Sequence, residues 1–331
     1  MKAVVIEEPG KVAVKQLADP TPGPMEAVID VEACGICGTD IHVLQGEMPM
    51  TPYPIVPGHE FCGEVVAVGA DVRNIRAGDF VAVDPSLFCG HCRFCRAGHD
   101  NLCENWNATG VTRNGASAEL VLVPASNAFP LPPDTPKRWG TLVEPLSCAV
   151  HGFDQIDPRL ASSYLIYGAG TMGLLLAQLA RHAGASVVEM VDLNPGRFEL
   201  ATRLAAHRIS TSADELDRPG GWDVVVDATG VVPAIEDGLR RVSRGGTFLM
   251  FGVANADATA TFSPFRVYND EIKIVGSMAV LHSFERALSL LAKGVIDSDA
   301  MITNRFPLDQ YQSAIDTFLA GSGLKVQVAP N

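Results

Sequence analysis

The sequence contains no apolar run of the roughly 18–20 residues that a bilayer-spanning helix needs, so no transmembrane segment is expected. Its opening stretch, MKAVVIEEPGKV, lacks the apolar core and small-residue cleavage site of a secretory leader and reads as a strand and a turn. A cytoplasmic chain is expected. Positive charge is scarce, with 25 Lys and Arg against 38 Asp and Glu and a formal net charge of −13. That balance argues against nucleic acid or an anionic membrane as the main partner. Internal repeats, low-complexity runs and obvious linkers are also missing. What remains is packed structure. The 331 residues exceed the roughly 250–300 at which single cores stop growing, and 47% of them are apolar, so two domains with sizeable cores are expected.

Residues 2–32 alternate apolar and polar positions around the break DPTPGP. FCGEVVAVGADV, GDFVAVDP and ASAELVLVPASNAFPLP continue that pattern, which predicts short, mostly antiparallel strands in a compact β unit of the partly open barrel kind. Near residue 145 the texture changes. LSCAVHGFDQI reads as a helix, and SSYLIYGAGTMGLLLAQLARHAGASVVEMVDLN as strand, tight turn, helix and strand. Strands alternating with helices predict a doubly wound parallel sheet, and the fold class is therefore α/β with a β-rich first half. HSFERALSLLAKG and LDQYQSAIDTFLAG read as amphipathic helices, and the closing LKVQVAP as a strand that returns to the first domain.

In a reducing compartment clustered cysteines point to metal before disulfides. Cys89, Cys92, Cys95 and Cys103 follow C-x2-C-x2-C-x7-C, enough to close a tetrahedral shell around a structural Zn²⁺. An iron–sulfur cluster is the rival, but the last gap is long and no Cys-Pro follows. Cys34, Cys62 and Cys148 are read as small residues without a role; the Cys34–Cys37 pair has no thioredoxin-like setting.

GICGTDIH and GHE carry a second metal pattern. Cys37 and His59 offer one sulfur and one nitrogen, and Glu60 or Glu144 would complete three ligands, leaving a position for a substrate oxygen. Thr39 could take the substrate proton and pass it to His42. The competing reading makes Thr39 a helix cap at Asp40 and His42 a surface histidine.

GAGTMG fits G-x-G-x-x-G, follows the apolar strand YLIY and opens an apolar helix, the context that a dinucleotide site requires. Gly168 permits the tight turn, Gly170 the approach of a pyrophosphate, and Gly173 close helix–strand packing. Asp192, nineteen residues after Gly173, would accept from both ribose hydroxyls and so favour NAD over NADP. Arg197 is the one residue nearby that could contact a phosphate.

GHE, the four-cysteine lobe and GAGTMG, in this order, resemble the zinc-dependent medium-chain dehydrogenases over essentially the whole chain, and the EP of LVEPLSCAVH resembles their polyol (sorbitol) dehydrogenases and L-threonine 3-dehydrogenases. The resemblance implies a GroES-like catalytic domain over residues 1–147, with its zinc lobe at about 85–105, completed by a C-terminal segment at 281–331. It also implies a Rossmann NAD-binding domain over 148–280, two zinc ions per subunit, and a dimer or tetramer. It places Cys37 and His59 on the catalytic zinc. Glu144 is the third ligand in some members, whereas in polyol dehydrogenases Glu60 ligates and the other glutamate holds a water; other alcohol dehydrogenases carry cysteine where Glu144 falls. Thr39 and His42 fall on the family's relay. Met172, Thr229, Gly252, Val253 and Ser277 fall near the cofactor, and Lys325 on a basic residue that reaches its phosphates.

The reaction so implied is NAD-dependent oxidation of a secondary alcohol, a polyol or sugar alcohol, to its ketone. Oxidation of an amino alcohol such as L-threonine is the alternative, and a nucleotide-binding protein without chemistry is a third reading. Phe88, Trp106, Thr109, Arg113 and Arg266 are candidates for lining the substrate cleft.

Overall fold

The alternating segments of the first half do form strands in the computed structural model of the chain, which describes residues 1–330. Two units separate by their internal contacts. One comprises Met1–Ser147, Val280–Gly294 and the residues from Ser298 onward; the other comprises Cys148–Ala279 and Val295–Asp297. The short stretch Val295–Asp297 is tied to the second unit, where the backbone NH of Asp297 donates to Gln178 Oε1 at 2.8 Å.

The first unit is built on a seven-stranded, largely antiparallel sheet. Its centre is the ten-residue strand Glu26–Gly35, buried at most positions because it pairs with three others. Leu120–Pro124 runs beside its first half. Glu60–Val68 flanks it along its length, and Lys325–Ala329 pairs with its end. The closing LKVQVAP therefore does return to this sheet, antiparallel to Glu26–Gly35 and parallel to Ile302–Pro307. Val31, Phe61, Val65, Val81, Ile315 and Val326 belong to one buried cluster under the sheet. Each such side chain contributes about 1.5–3 kcal/mol relative to exposure.

The second unit holds a six-stranded parallel sheet in the order Arg208–Ser210, Val187–Val191, Ser163–Tyr167, Trp222–Asp227, Val242–Met250, Lys273–Gly276. Counted along the chain from Ser163–Tyr167, that order is 3-2-1-4-5-6, the Rossmann arrangement, whose direction of winding reverses between its first and fourth strands. Ser163–Tyr167 is buried at all five positions, as a central parallel strand covered on both faces must be. Helix Thr171–His182 follows it and buries the run from Gly173 to Ala180. Among the described residues no helix is long and apolar enough to cross a membrane.

Candidate active site

Helix Gly38–Gln45 starts where strand Glu26–Gly35 ends. Cys37 is its N-cap, and Asp40, three residues on, turns back so that Oδ2 accepts from the Cys37 backbone NH at 2.9 Å. This reciprocal cap satisfies one of the orphan donors of the first turn. Thr39 is thus inside the helix and does not cap it, contrary to the competing sequence reading; its Oγ1 lies 3.9 Å from Cys37 Sγ. His42 follows Thr39 at the i+3 spacing that puts two side chains on one helix face.

Asp40 carries more than a cap, and the sequence reading passed over it. The residue is fully buried. Oδ1 accepts from the Gly58 backbone NH at 3.2 Å and stands 3.6 Å from His59 Nδ1. That nitrogen is buried and has no hydrogen-bond partner. A carboxylate behind the imidazole is what orients a histidine that presents its other nitrogen to a metal.

The ligand atoms of Cys37, His59 and Glu60 lie within 4.8 Å of one another. Burial opposes a charge on His59, but the Asp40 carboxylate and Cys37 outweigh it and hold the imidazole well above its usual range. The same anionic neighbours, the Asp40 carboxylate and Cys37, favour a cation at this point. One sulfur from half-buried Cys37 with one nitrogen and one oxygen from buried His59 and Glu60 match the donor chemistry of zinc. Glu144, in the first turn of helix Val143–Asp154, is also buried, and its charge acts on Lys325.

Lys325 requires a correction. The resemblance put it on the cofactor phosphates, yet its side chain is 2% exposed and Nζ donates to Glu60 Oε2, with the Ile36 carbonyl 3.4 Å away. The sheet register explains the placement. Gly35 pairs with Glu60 on one side and Gln327 on the other, and Lys325 shares the face of Gln327, two residues on. A Cβ on Gly35 would collide with Glu60 Oε2 and crowd Lys325 Cδ, so the pair occupies the space that glycine leaves. Burial disfavours the ammonium, but Glu60, Cys37 and Glu144 together raise its proton affinity.

The four remaining clustered cysteines also converge. Cys89, Cys92, Cys95 and Cys103 place their sulfurs within 4.8 Å of one another. Backbone NH groups of Cys89 and Asn105 point at Cys103 Sγ, each at 3.3 Å, and that of Cys92 at Cys89 Sγ at 3.4 Å. Such donors favour thiolate, and a backbone bond from His91 leads in drawing Cys89 down to about 6. All eight cysteines are free. Cys34 and Cys62 are fully buried, which pushes Cys62 up to about 12 and Cys34 well above the usual thiol range and so disfavours the reactive thiolate at both. Cys148 is half-buried.

In the second unit GAGTMG joins strand Ser163–Tyr167 to helix Thr171–His182, beside the point where the winding reverses. Gly168 has φ 97°, and a Cβ on Gly173 would strike the Gly168 carbonyl. Gly170 caps the helix without a side-chain bond, and its bare face is open up to Arg197 Nη1 at 3.8 Å. This is a cradle that an anion at a helix N-terminus would fill. Both Asp192 oxygens are already held: Oδ2 by the Ala169 backbone NH at 2.6 Å and Arg197 Nη1 at 3.1 Å, Oδ1 by the Asn194 backbone NH at 2.8 Å. Met172 is half-buried on the helix. Thr229 stands against Gly168, in a turn that Asp227 organises by accepting from the Thr229 and Gly230 backbone NH groups, each at 3.0 Å. Gly252 packs against that turn, Val253 is 77% exposed, and Ser277 Oγ is buried without a partner.

The four cleft candidates of the first unit do not share one cavity. Phe88 lines a cavity of about 330 Å³ with Asp84 and His282, whereas Thr109 and Arg113 line another of about 340 Å³. Trp106 packs on the cluster of Val43, Ile55 and Val111. Arg266 is committed to its own unit, donating to the Leu239 and Val242 carbonyls and to Asp270.

Residues 23–133 match the alcohol dehydrogenase GroES-like domain, and residues 171–293 the zinc-binding dehydrogenase domain. D-arabinitol dehydrogenase 1 of Uromyces fabae is 39% identical, covering 100% of this chain and 97% of its own. D-altritol 5-dehydrogenase of Agrobacterium fabrum is 36% identical over 94% of each chain. An L-threonine 3-dehydrogenase of Aeromonas hydrophila is 35% identical over 93% of this chain and 92% of that one. Among solved structures, a candidate zinc-binding dehydrogenase of Sinorhizobium meliloti 1021 bound to NADP superposes with a TM-score of 0.96 at 37% identity, covering 99% of both chains. By this extent of identity, and by the two domains matched in order, the chain belongs to the zinc-dependent medium-chain alcohol dehydrogenase family.

Proposed function

We propose that this dehydrogenase oxidises a secondary hydroxyl of a polyol or sugar alcohol to the ketone, with NAD as hydride acceptor. The observation that carries the reading is the convergence of Cys37, His59 and Glu60 next to Thr39, with Asp40 behind the imidazole. A bound zinc would supply Lewis acidity toward the substrate hydroxyl, and a bound nicotinamide the hydride acceptor.

The chain's own residues do the rest. Cys37, His59 and a glutamate hold the metal, with Glu60 and Glu144 as the two candidates for third ligand. Asp40 fixes the ring of His59, and Lys325 balances the charge of Glu60. Thr39 accepts the hydroxyl proton at Oγ1 and passes it toward His42 on the same helix face. Cys89, Cys92, Cys95 and Cys103 hold a closed, structural zinc. Gly168, Gly170 and Gly173 admit the pyrophosphate to the helix N-terminus, and Asp192 receives the adenosine ribose. Thr229, Gly252, Val253 and Ser277 border the same cofactor. Arg197 tempers the Asp192 charge, and NADP is therefore a weaker acceptor, not an excluded one.

The polyol assignment is supported by the arabinitol and altritol relatives. The threonine relative supports a second reading, oxidation of an amino alcohol. NADH formation by the zinc-loaded protein across polyols, simple alcohols and L-threonine decides between them. Turnover confined to polyols is expected. Turnover of L-threonine alone would replace the reading, and silence with zinc and NADH both bound would refute it. The free cysteines fit a cytoplasmic site of action, and the edge strand Lys273–Gly276 offers a surface for self-association, which light scattering tests.

A further inference from the structure

We propose that Glu47 is a positioning residue for the proton relay, holding the His42 imidazole in one tautomer and one orientation. This rests on the reading of His42 as the relay's outer member. Glu47 Oε2 lies 2.5 Å from His42 Nδ1. The spacing is i, i+5, which a continuing helix would not bring together. The contact exists because the chain reverses at Gly46, whose φ of 79° puts it in the left-handed region and whose NH caps the His42 and Val43 carbonyls.

The reversal is held from several sides. The Glu47 backbone NH donates to the His42 carbonyl at 2.9 Å, the Gly10 NH to Leu44 at 2.7 Å, and the Tyr53 hydroxyl to Val43 at 2.5 Å. A Cβ on Gly46 would meet Pro9, so the hairpin turn at Pro9–Gly10 packs directly under this corner. The last carbonyls of the helix are thereby satisfied, and Glu47 is fixed beside the ring by backbone geometry before its side chain contributes anything.

The side chains of His42 and Glu47 are 39% and 47% exposed, and an ion pair in that setting adds little stability. Its effect is directional. With Nδ1–H donated to the carboxylate, the lone pair of a neutral imidazole sits on Nε2, the atom left to receive a proton. Without Glu47 both tautomers and both ring flips become available, and only a fraction is competent.

Glu47→Leu is expected to lower kcat about tenfold, toward the level of His42→Ala, with KM for alcohol and NAD and the zinc content unchanged. Glu47→Gln, whose carbonyl oxygen still accepts from Nδ1–H, should recover most of that loss. Adding Glu47→Leu to His42→Ala should change nothing more. Imidazole ¹⁵N NMR of the intact protein should report Nδ1–H at His42 in the wild type and a mixture in Glu47→Leu. An unchanged rate in Glu47→Leu together with a fall in His42→Ala would overturn the role of Glu47 alone, as would losses that multiply in the double variant. An unchanged rate in His42→Ala would remove the relay itself, and this inference with it.

Discussion

Lys325 and Glu60 form an ion pair from which water is nearly shut out, with the two side chains 2% and 1% exposed. Breaking one side of such a pair costs more than the pair itself contributes, because the partner is left charged in a low-dielectric site. Lys325→Met should therefore destabilise the metal-free protein by about 3–5 kcal/mol in urea unfolding. Adding Glu60→Gln should return a large part of that loss. NAD affinity measured on either variant that folds should not change, since Lys325 faces Glu60 and not a phosphate. A selective loss of NAD binding would restore the assignment that the structure displaces.

Metal removal separates the two cysteine sites. Cys37→Ser should reduce the bound zinc from two ions per chain to one, abolish turnover and leave the circular dichroism intact. Asp40→Asn keeps the cap acceptor but removes the charge behind His59, and should weaken the catalytic metal about 10–100-fold in a chelator competition. Unchanged affinity would mean that Asp40 serves the helix alone.

The cofactor preference should follow the Asp192–Arg197 pair. Asp192→Ala frees a guanidinium beside the open face of Gly170 and should shift the NAD to NADP ratio of kcat/KM toward NADP. Arg197→Ala should move it the other way. If neither variant alters the ratio, the ribose contact lies elsewhere.

Acid should weaken the second unit through Asp237. Burial raises this carboxyl, but the Tyr167 hydroxyl at 2.6 Å and Arg241 at 3.2 Å outweigh burial and hold it below its usual value. A folded-state value below the unfolded one gives stability that is present above the unfolded value of about 4 and is lost as pH falls through the folded value. The stability difference between wild type and Asp237→Asn should be larger at about pH 7 than at about pH 4, measured by urea unfolding. A difference that grows on acidification would reverse the sign.

What could be read from the sequence was local. Cys37 with His59, the four spaced cysteines and GAGTMG each announce themselves by spacing, and the parallel sheet around Gly168 follows from alternating strands and helices, though not its strand order. What escaped was fixed by register. Nothing in KVQV says that its lysine will face a glutamate 265 residues earlier, because that depends on which strand lies on each side of Gly35. Asp40 looked like ordinary helix punctuation, since its second hydrogen bond comes from Gly58, eighteen residues away. Arg266 shows the converse: an arginine in a promising stretch is committed to carbonyls that only the folded chain brings near.

The position of Lys325 also separates the two clusters by how far each reaches along the chain. The four-cysteine lobe draws all of its sulfurs from one short contiguous stretch, Cys89–Cys103. Glu60 has no such independence. Its counter-charge lies beyond the whole of Cys148–Ala279, so the charge balance at this buried acid depends on a strand 265 residues further along the chain. One cluster is local in the chain; the other reaches its charge balance only through the strand Lys325–Ala329.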